Sequence, residues 1–202
     1  LIDCGANAEC TVEYLLQFAY LGSYYAHKVL GIENPRVALL NIGAEESKGD
    51  ELRREAYRKL KEAGEAGHLN FTGNIEAKEA MLGECDVIVA DGYSGNIMLK
   101  TVEGTGKLLS IKLREMLTHS AGTKLAALLL KGQLGNFKKM LDANEVGGTA
   151  LLGISKPVIK AHGSASELGF CNAVRQAMEV AQSGIIGDIT QNIDKMRIGK
   201  EA

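Results

Sequence analysis

The sequence predicts an α/β fold with a largely parallel sheet, and three observations carry that expectation. Short apolar, β-branched runs recur along the chain, as in Asp86–Ala90 (DVIVA). Such runs suit strands buried on both faces, not strands with one wet side. Each run stops at a small, polar, Gly-containing turn, and a helical pattern follows. Strands alternating with helices at this pace are βαβ units.

Taken in order, residues 1–7 (LIDCGAN) read as the end of a strand running into a turn. Thr11 caps a helix with Glu13 in its first turn, and helical spacing continues to Gly31. Val37–Ile42 (VALLNI) is a second strand, closed by the polar run 41–50, and Glu51–Gly64 is a charged, exposed helix. Leu69–Thr72 is a third strand, followed by Gly73-Asn74 and a short helix from Ile75 to Leu82. After Asp86–Ala90 the stretch Asp91–Asn96 (DGYSGN) reads as a turn, with a helix from Ile97 to about Thr118. Lys124–Leu141 reads as a helix–hinge–helix hairpin broken at Gly132–Gly135. Strand-like runs return at Gly147–Gly153 and Pro157–Ala161, and helices over 167–182 and 187–197 close the chain. The expected organisation is one α/β domain over 1–202 with a helical hairpin inserted at about 119–142.

Composition narrows the function. The 202 residues are 46% hydrophobic and 24% charged with a net charge of −2, which gives no global argument for nucleic acid. Trp is absent and aromatics are 5%, too few for base-stacking platforms. Cys4, Cys10, Cys85 and Cys171 form no CxxC pair and have no His at zinc-ligand spacing, so free thiols are expected and no metal. No signal peptide and no run of about 18 apolar residues is present. The chain begins without methionine in strand-like sequence, as a fragment or a processed chain would.

Three strand ends share one chemistry: NIGAEESKG, DGYSGN and AHGSAS. Each combines Gly, a small hydroxyl or amide side chain and one titratable group: Lys48, Asp91 or His162. Loops of this kind at the carboxyl edge of an open sheet can hold a compact anion. No Walker spacing, GxGxxG or GxSxG is present. Taken singly, each loop reads as an ordinary capped turn, Lys48 as a surface lysine and His162 as a hydrogen-bonded structural histidine. The hairpin carries Lys124, Lys131, Lys138 and Lys139 without an acid, with Leu128, Leu129, Leu130, Leu134 and Phe137 as its apolar set. It fits an anionic bilayer surface, and equally a packing or dimer interface.

The motifs LIDCGAN, PRVALLNIGAEESKGDEL, GNIEA, DVIVADGYSGNIMLK, GGTALLG and PVIKAHGSAS run collinearly through the chain. Together they resemble the bacterial phosphate acyltransferase family of phospholipid synthesis. That resemblance implies a homodimeric, three-layer αβα enzyme similar to isocitrate dehydrogenases and phosphotransacetylases, cytoplasmic and peripherally bound to the inner face of the membrane. It implies acyl transfer from acyl carrier protein to inorganic phosphate, delivery of acyl phosphate to a membrane glycerol-3-phosphate acyltransferase, and no cofactor. The family's N-terminal DAMGGD-type motif and SAGNTGA-type loop are missing. Ala44, Tyr93-Ser94 and Ala165 stand where Thr, Phe-Thr and Ser are common.

In such a reaction phosphate is already ionised, so no side chain need be acylated. The expected roles are Lys48 on phosphate, Asn96 on phosphate or the oxyanion, His162 protonating the thiolate or bonding phosphate, and Asp91 orienting Lys48 or its loop. Asn41, Gly43, Asn74, Gly92, Ser94, Gly95, Gly163 and Ser164 are the expected substrate-binding set. The basic helix with Arg53, Arg54, Arg58, Lys59 and Lys61 is either a docking face for the acidic carrier or a solvated surface. The rival readings are a CoA-dependent phosphotransacetylase, a nucleotide-binding dehydrogenase of similar fold, and a non-catalytic fragment that binds membrane or a partner.

Overall fold

A computed structural model describes residues 1–199. The chain divides into two compact units, the first made of Leu1–Met98, Leu152–Pro157 and the segment from Glu179 on, the second of Leu99–Leu151 and Val158–Met178.

The first unit is built on a three-stranded parallel sheet of β1 (Arg36–Leu40), β2 (Asn70–Ile75) and β3 (Val87–Val89), in the order β2-β1-β3. Residues 1–3 continue it beyond β3: Ile2 N–H donates to the Ile88 carbonyl at 2.9 Å, and Ala90 N–H donates to the Ile2 carbonyl at 2.8 Å. The α/β prediction with a parallel sheet therefore holds. Alternation along the strands explains the layering. Val37, Leu39, Val87 and Val89 face one way and bury against α1 (Val12–Lys28) and α2 (Glu51–Glu65). Ala38 and Ile75 join a second cluster with Ala80 of α3 (Ala77–Met81) and Met98 of α4 (Gly92–Thr118). Helices thus cover both sheet faces, as parallel strands require.

The helix starts follow their caps. Thr11 Oγ1 accepts from Tyr14 N–H at 3.3 Å, and Asp50 Oδ1 accepts from Arg53 N–H at 2.9 Å. Arg36 and Asp86 lock the amino ends of β1 and β3 together: Asp86 accepts from the Arg36 backbone at 2.8 Å and from Nε at 3.0 Å.

Several boundaries differ from the sequence reading. The helix after β3 begins at Gly92, so Gly92–Asn96 are its first turns and not a preceding loop. Asp91 itself caps it, accepting from Ser94 N–H at 2.8 Å. Gly73-Asn74 lies inside β2, because Val37 pairs with Phe71 while Ala38 pairs with Gly73. The skipped Thr72 forms a bulge, and Gly73 at φ +102° supplies a backbone conformation that side-chain-bearing residues rarely adopt. The expected helix from Ile75 begins only at Ala77, since Ile75 still belongs to the ladder.

In the second unit, α4 continues to Thr118 and is followed by α5 (Ala121–Leu129) and α6 (Lys131–Met140). The hairpin breaks at Leu130, not at Gly132–Gly135, which lie within α6. Ser120 and Thr123 form a reciprocal capping box that restarts the chain as α5. A short α7 (Ala143–Val146) leads to the antiparallel pair β4 (Gly148–Ala150) and β5 (Ile159–Ala161), then α8 (Glu167–Gln182). Back in the first unit, the last predicted helix is two pieces, α9 (Ile185–Gln191) and a 3₁₀ turn Ile193–Met196.

One close approach sets the spacing of α1 on the sheet. A β-carbon at Gly22 would stand 2.5 Å from Val87 Cγ1 and 3.1 Å from Ile2 Cγ2. Gly22→Ala is therefore expected to lower stability by about 1–3 kcal/mol in urea unfolding. Val87→Ala should recover part of that loss in the double variant, which two independent penalties would not do.

Candidate functional site

Because the three strands run parallel, their carboxyl ends emerge at one edge, and the loops there hold the first unit's chemistry. The loop after β1 is braced from below. Asn41 is buried, its Nδ2 donates to the Lys48 carbonyl at 3.1 Å, and its Oδ1 accepts from Ile42 N–H at 2.9 Å. Asn74, buried on β2, donates to the Glu45 carbonyl at 2.8 Å. Its Oδ1 has no hydrogen-bond partner among the described residues. Both amide nitrogens thus hold the Lys48 loop in shape. Gly43 is buried under that loop: a β-carbon there would meet Glu45 Oε2 at 2.9 Å and Lys48 Cγ at 2.9 Å. Lys48 is exposed, with no carboxylate within ion-pair distance among the described residues.

The turn after β3 is organised by Asp91, which is buried. Its carboxylate accepts from Ser94 N–H and from Ser94 Oγ, each at 2.8 Å, and from Arg53 Nη2. Arg53 also donates to Ser94 Oγ at 2.9 Å and to Asp50 at 2.6 Å. Burial pushes the Asp91 carboxyl up, but the two bonds from Ser94 and the Arg53 charge outweigh it and leave it below its ordinary value. Asp91 is therefore a fixed anion that orients Arg53 and its own turn. Lys48 is not its partner.

A fourth loop, 3–7, was missed as part of the site. Asp3 is buried, and its carboxylate accepts from the N–H groups of Gly5, Ala6 and Asn7 at 2.8, 2.9 and 2.6 Å and from Asn7 Nδ2 at 2.9 Å. Burial raises the Asp3 carboxyl, and these donors together bring it below the ordinary value. The folded loop lies directly on the first turns of α4. Gly92 N–H donates to the Asn7 carbonyl at 2.9 Å, and a β-carbon at Gly92 or Gly95 would collide with the backbone of Asn7 or Asp3. The N–H groups of Gly92 and Ser94 are thus already used, and they are not free to bind an anion as the turn reading supposed. Asn96 is exposed, with its side chain over Gly5. The signal for this loop was in the sequence: Asp followed by Cys-Gly-Ala-Asn is a turn in which a carboxylate can gather successive N–H groups two to four residues on.

Beside these turns lies a cleft of about 490 Å³ lined by Glu9, Cys10, Leu52, Arg53, Asp91 and Tyr93, among others. Ile42, Tyr93 and Ile97 are exposed apolar side chains on the loop after β1 and the start of α4. The basic face of α2 is largely spent within the chain: Arg58 pairs with Glu55, Lys59 with Glu62, Lys61 with Glu46, and Arg54 donates to the Gly49 carbonyl. That is a solvated, self-paired helix face. No cluster of His, Cys, Asp and Glu suited to a metal exists among the described residues.

His162, Gly163 and Ser164 belong to the second unit. His162 is exposed; its Nδ1 accepts from Ser164 N–H at 3.2 Å and pairs with Ser164 Oγ at 2.9 Å, leaving Nε2 as the outward nitrogen. In the same unit Leu128, Leu129 and Leu130 are exposed, while Leu134 and Phe137 are half-buried. No described helix is long and apolar enough to cross a membrane.

The family model described as fatty acid synthesis protein matches residues 1–187. Curated proteins named phosphate acyltransferase are similar along nearly the whole chain. That of Geobacillus thermodenitrificans is 46% identical over 194 residues, covering 96% of this chain and 58% of its own length. Those of Thermoanaerobacter pseudethanolicus and Brevibacillus brevis are 44% and 45% identical, each matched over 58% of its own length. The chain therefore spans well under two thirds of these relatives.

The Asp3 loop gives a pH signature. A carboxyl held below its unfolded value stabilises the fold above that value and loses the contribution as pH falls through its folded value. Asp3→Asn is expected to cost about 1–3 kcal/mol at pH 7. Its deficit against the wild type should shrink once pH drops below the unfolded value of ~3.9, as followed by thermal melts across pH.

Proposed function

The chain belongs to the fatty acid synthesis protein family, and from that premise we propose that it carries much of a phosphate acyltransferase, moving a long-chain acyl group from acyl carrier protein to inorganic phosphate. The observation that carries the reading is Lys48, an exposed cation without an ion pair among the described residues, on a loop braced by Asn41 and Asn74 at the carboxyl edge of a parallel sheet.

In this proposal a phosphate oxygen attacks the thioester carbonyl, the C–S bond breaks, and the proton of hydrogen phosphate ends on the departing thiolate. Lys48 holds the phosphate and offsets charge on the tetrahedral oxyanion, with Asn96 donating its amide beside it. His162, in the second unit, is suited by its own chemistry to donate a proton through Nε2, the nitrogen that Ser164 leaves open. Gly43, Gly92 and Gly95 serve by their lack of side chains, and Gly163 with Ser164 shapes the His162 turn. Exposed Ile42, Tyr93 and Ile97 suit an acyl chain. Product acyl phosphate is consumed by a membrane glycerol-3-phosphate acyltransferase, an early step of phospholipid synthesis. The protein works as a cytoplasmic homodimer, without a cofactor, touching the inner face of the membrane through Leu128, Leu129, Leu130, Leu134 and Phe137.

The rival donor is acyl-CoA, separated by offering both thioesters to the protein as its gene encodes it. The expected result is phosphate-dependent loss of acyl-carrier-protein thioester. Lys48→Ala and Asn96→Ala should each slow it by about 10²–10³, and folded variants with wild-type rates would refute these roles. For the hairpin, Leu129→Glu with Phe137→Glu should abolish flotation with anionic vesicles, and raised salt should weaken it. Unchanged flotation would mark α5 and α6 as a protein interface instead.

A further inference from the structure

Arg53 sits where the roles above supply no reason for it. It lies on the first turn of α2, its side chain is 18% exposed, and its guanidinium ties Asp50 to Asp91 and Ser94. The register puts this group beside the Lys48 loop. Leu39 pairs with Val89, so Asn41 and Asp91 follow on neighbouring strand ends, where strands run about 4.8 Å apart. A β-carbon at Gly49 would stand 3.0 Å from Arg53 Cβ, so the backbone next to Lys48 rests on the Arg53 stem. The surroundings are acidic: Glu9 and Asp91 line the cleft, Asp50 flanks it, and Glu45 lies against Gly43. A dianion entering beside Lys48 meets these carboxylates, and Asp91 is a buried anion that cannot swing away. Water screens a buried charge poorly, so its compensation must come from a fixed cation.

We infer that Arg53 is a positioning and charge-compensating residue: by neutralising the buried Asp91 carboxylate, it lets the edge carrying Lys48 accept inorganic phosphate. The inference rests on the phosphate site proposed above. In this inference Arg53 acts through Asp91 and not on the phosphate, because both N–H groups of Nη2 go to Asp91 and Ser94 and Nη1 turns to Asp50. A clamp that merely held α2 to the turn would make the same contacts, but it would answer substitution differently.

The test measures inorganic phosphate binding by isothermal titration, with thioester turnover recorded separately, on the protein as its gene encodes it. Arg53→Leu should weaken phosphate binding roughly tenfold. Arg53→Lys, which keeps the charge and loses the fork, should stay within about threefold of wild type. Asp91→Asn placed in the Arg53→Leu background should restore most of the affinity, because the uncompensated charge is gone. Unchanged binding in Arg53→Leu overturns the inference. So does a double variant as weak as or weaker than the single, the result expected of a structural clamp. If phosphate binds and responds in this way but no thioester is consumed, the inference stands and the acyl-transfer reading falls. A wild-type protein that binds no phosphate overturns both.

Discussion

The candidate site depends on how closely two pieces of backbone can approach. Residues 3–7 lie on the first turns of α4 with Gly92 and Gly95 as the contact points, and any β-carbon at either would collide with main-chain atoms. The approach is sustained because Asp3 gathers the N–H groups of its own loop while the Asn7 carbonyl receives the Gly92 N–H. The N–H groups of Gly5, Ala6, Asn7, Gly92, Ser94 and Gly95 are all committed within the junction, which makes those donors a poor anion receptor. The neighbouring loop carries an exposed cation, Lys48, without an ion pair among the described residues.

That arrangement divides the edge into two electrostatic halves. On one side, Asn41 and Asn74 spend their amides on the carbonyls of Lys48 and Glu45, so the exposed lysine stands on a stiff platform. On the other, Asp91 is committed to Ser94 and Arg53. The first half is fit to receive charge and the second is already balanced.

The sheet and its order of elements were legible because β-branched runs closed by Gly-rich turns and followed by amphipathic helices permit few other folds. The alternation that separates Val37 and Leu39 from Ala38 follows from strand geometry once the strand is accepted. What local sequence could not give was the partner of each polar group. DGYSGN has turn composition, yet Asp91 caps it directly into α4. Gly73 has the composition of a turn and sits in a bulge, because β1 continues to pair beyond it. Arg53 read as one of several surface basics, since its bond to Asp91 joins residues 38 apart in the chain. The hairpin break falls at Leu130, whose backbone leaves helical geometry, while Gly132 and Gly135 stay inside α6, because one glycine costs a helix only about 1 kcal/mol.

The helices α5 and α6 contain no buried residue, whereas α1 alone buries eight, Leu15 and Tyr20 among them. Burial is the main source of resistance to opening, so the chain has a gradient of local stability. The sheet and α1 stand at the buried end of that gradient and the hairpin, with no fully buried side chain, at the other. A segment of that kind can exchange solvent for another apolar surface at little conformational expense. Its leucines are a reserve of burial that the isolated chain leaves unspent.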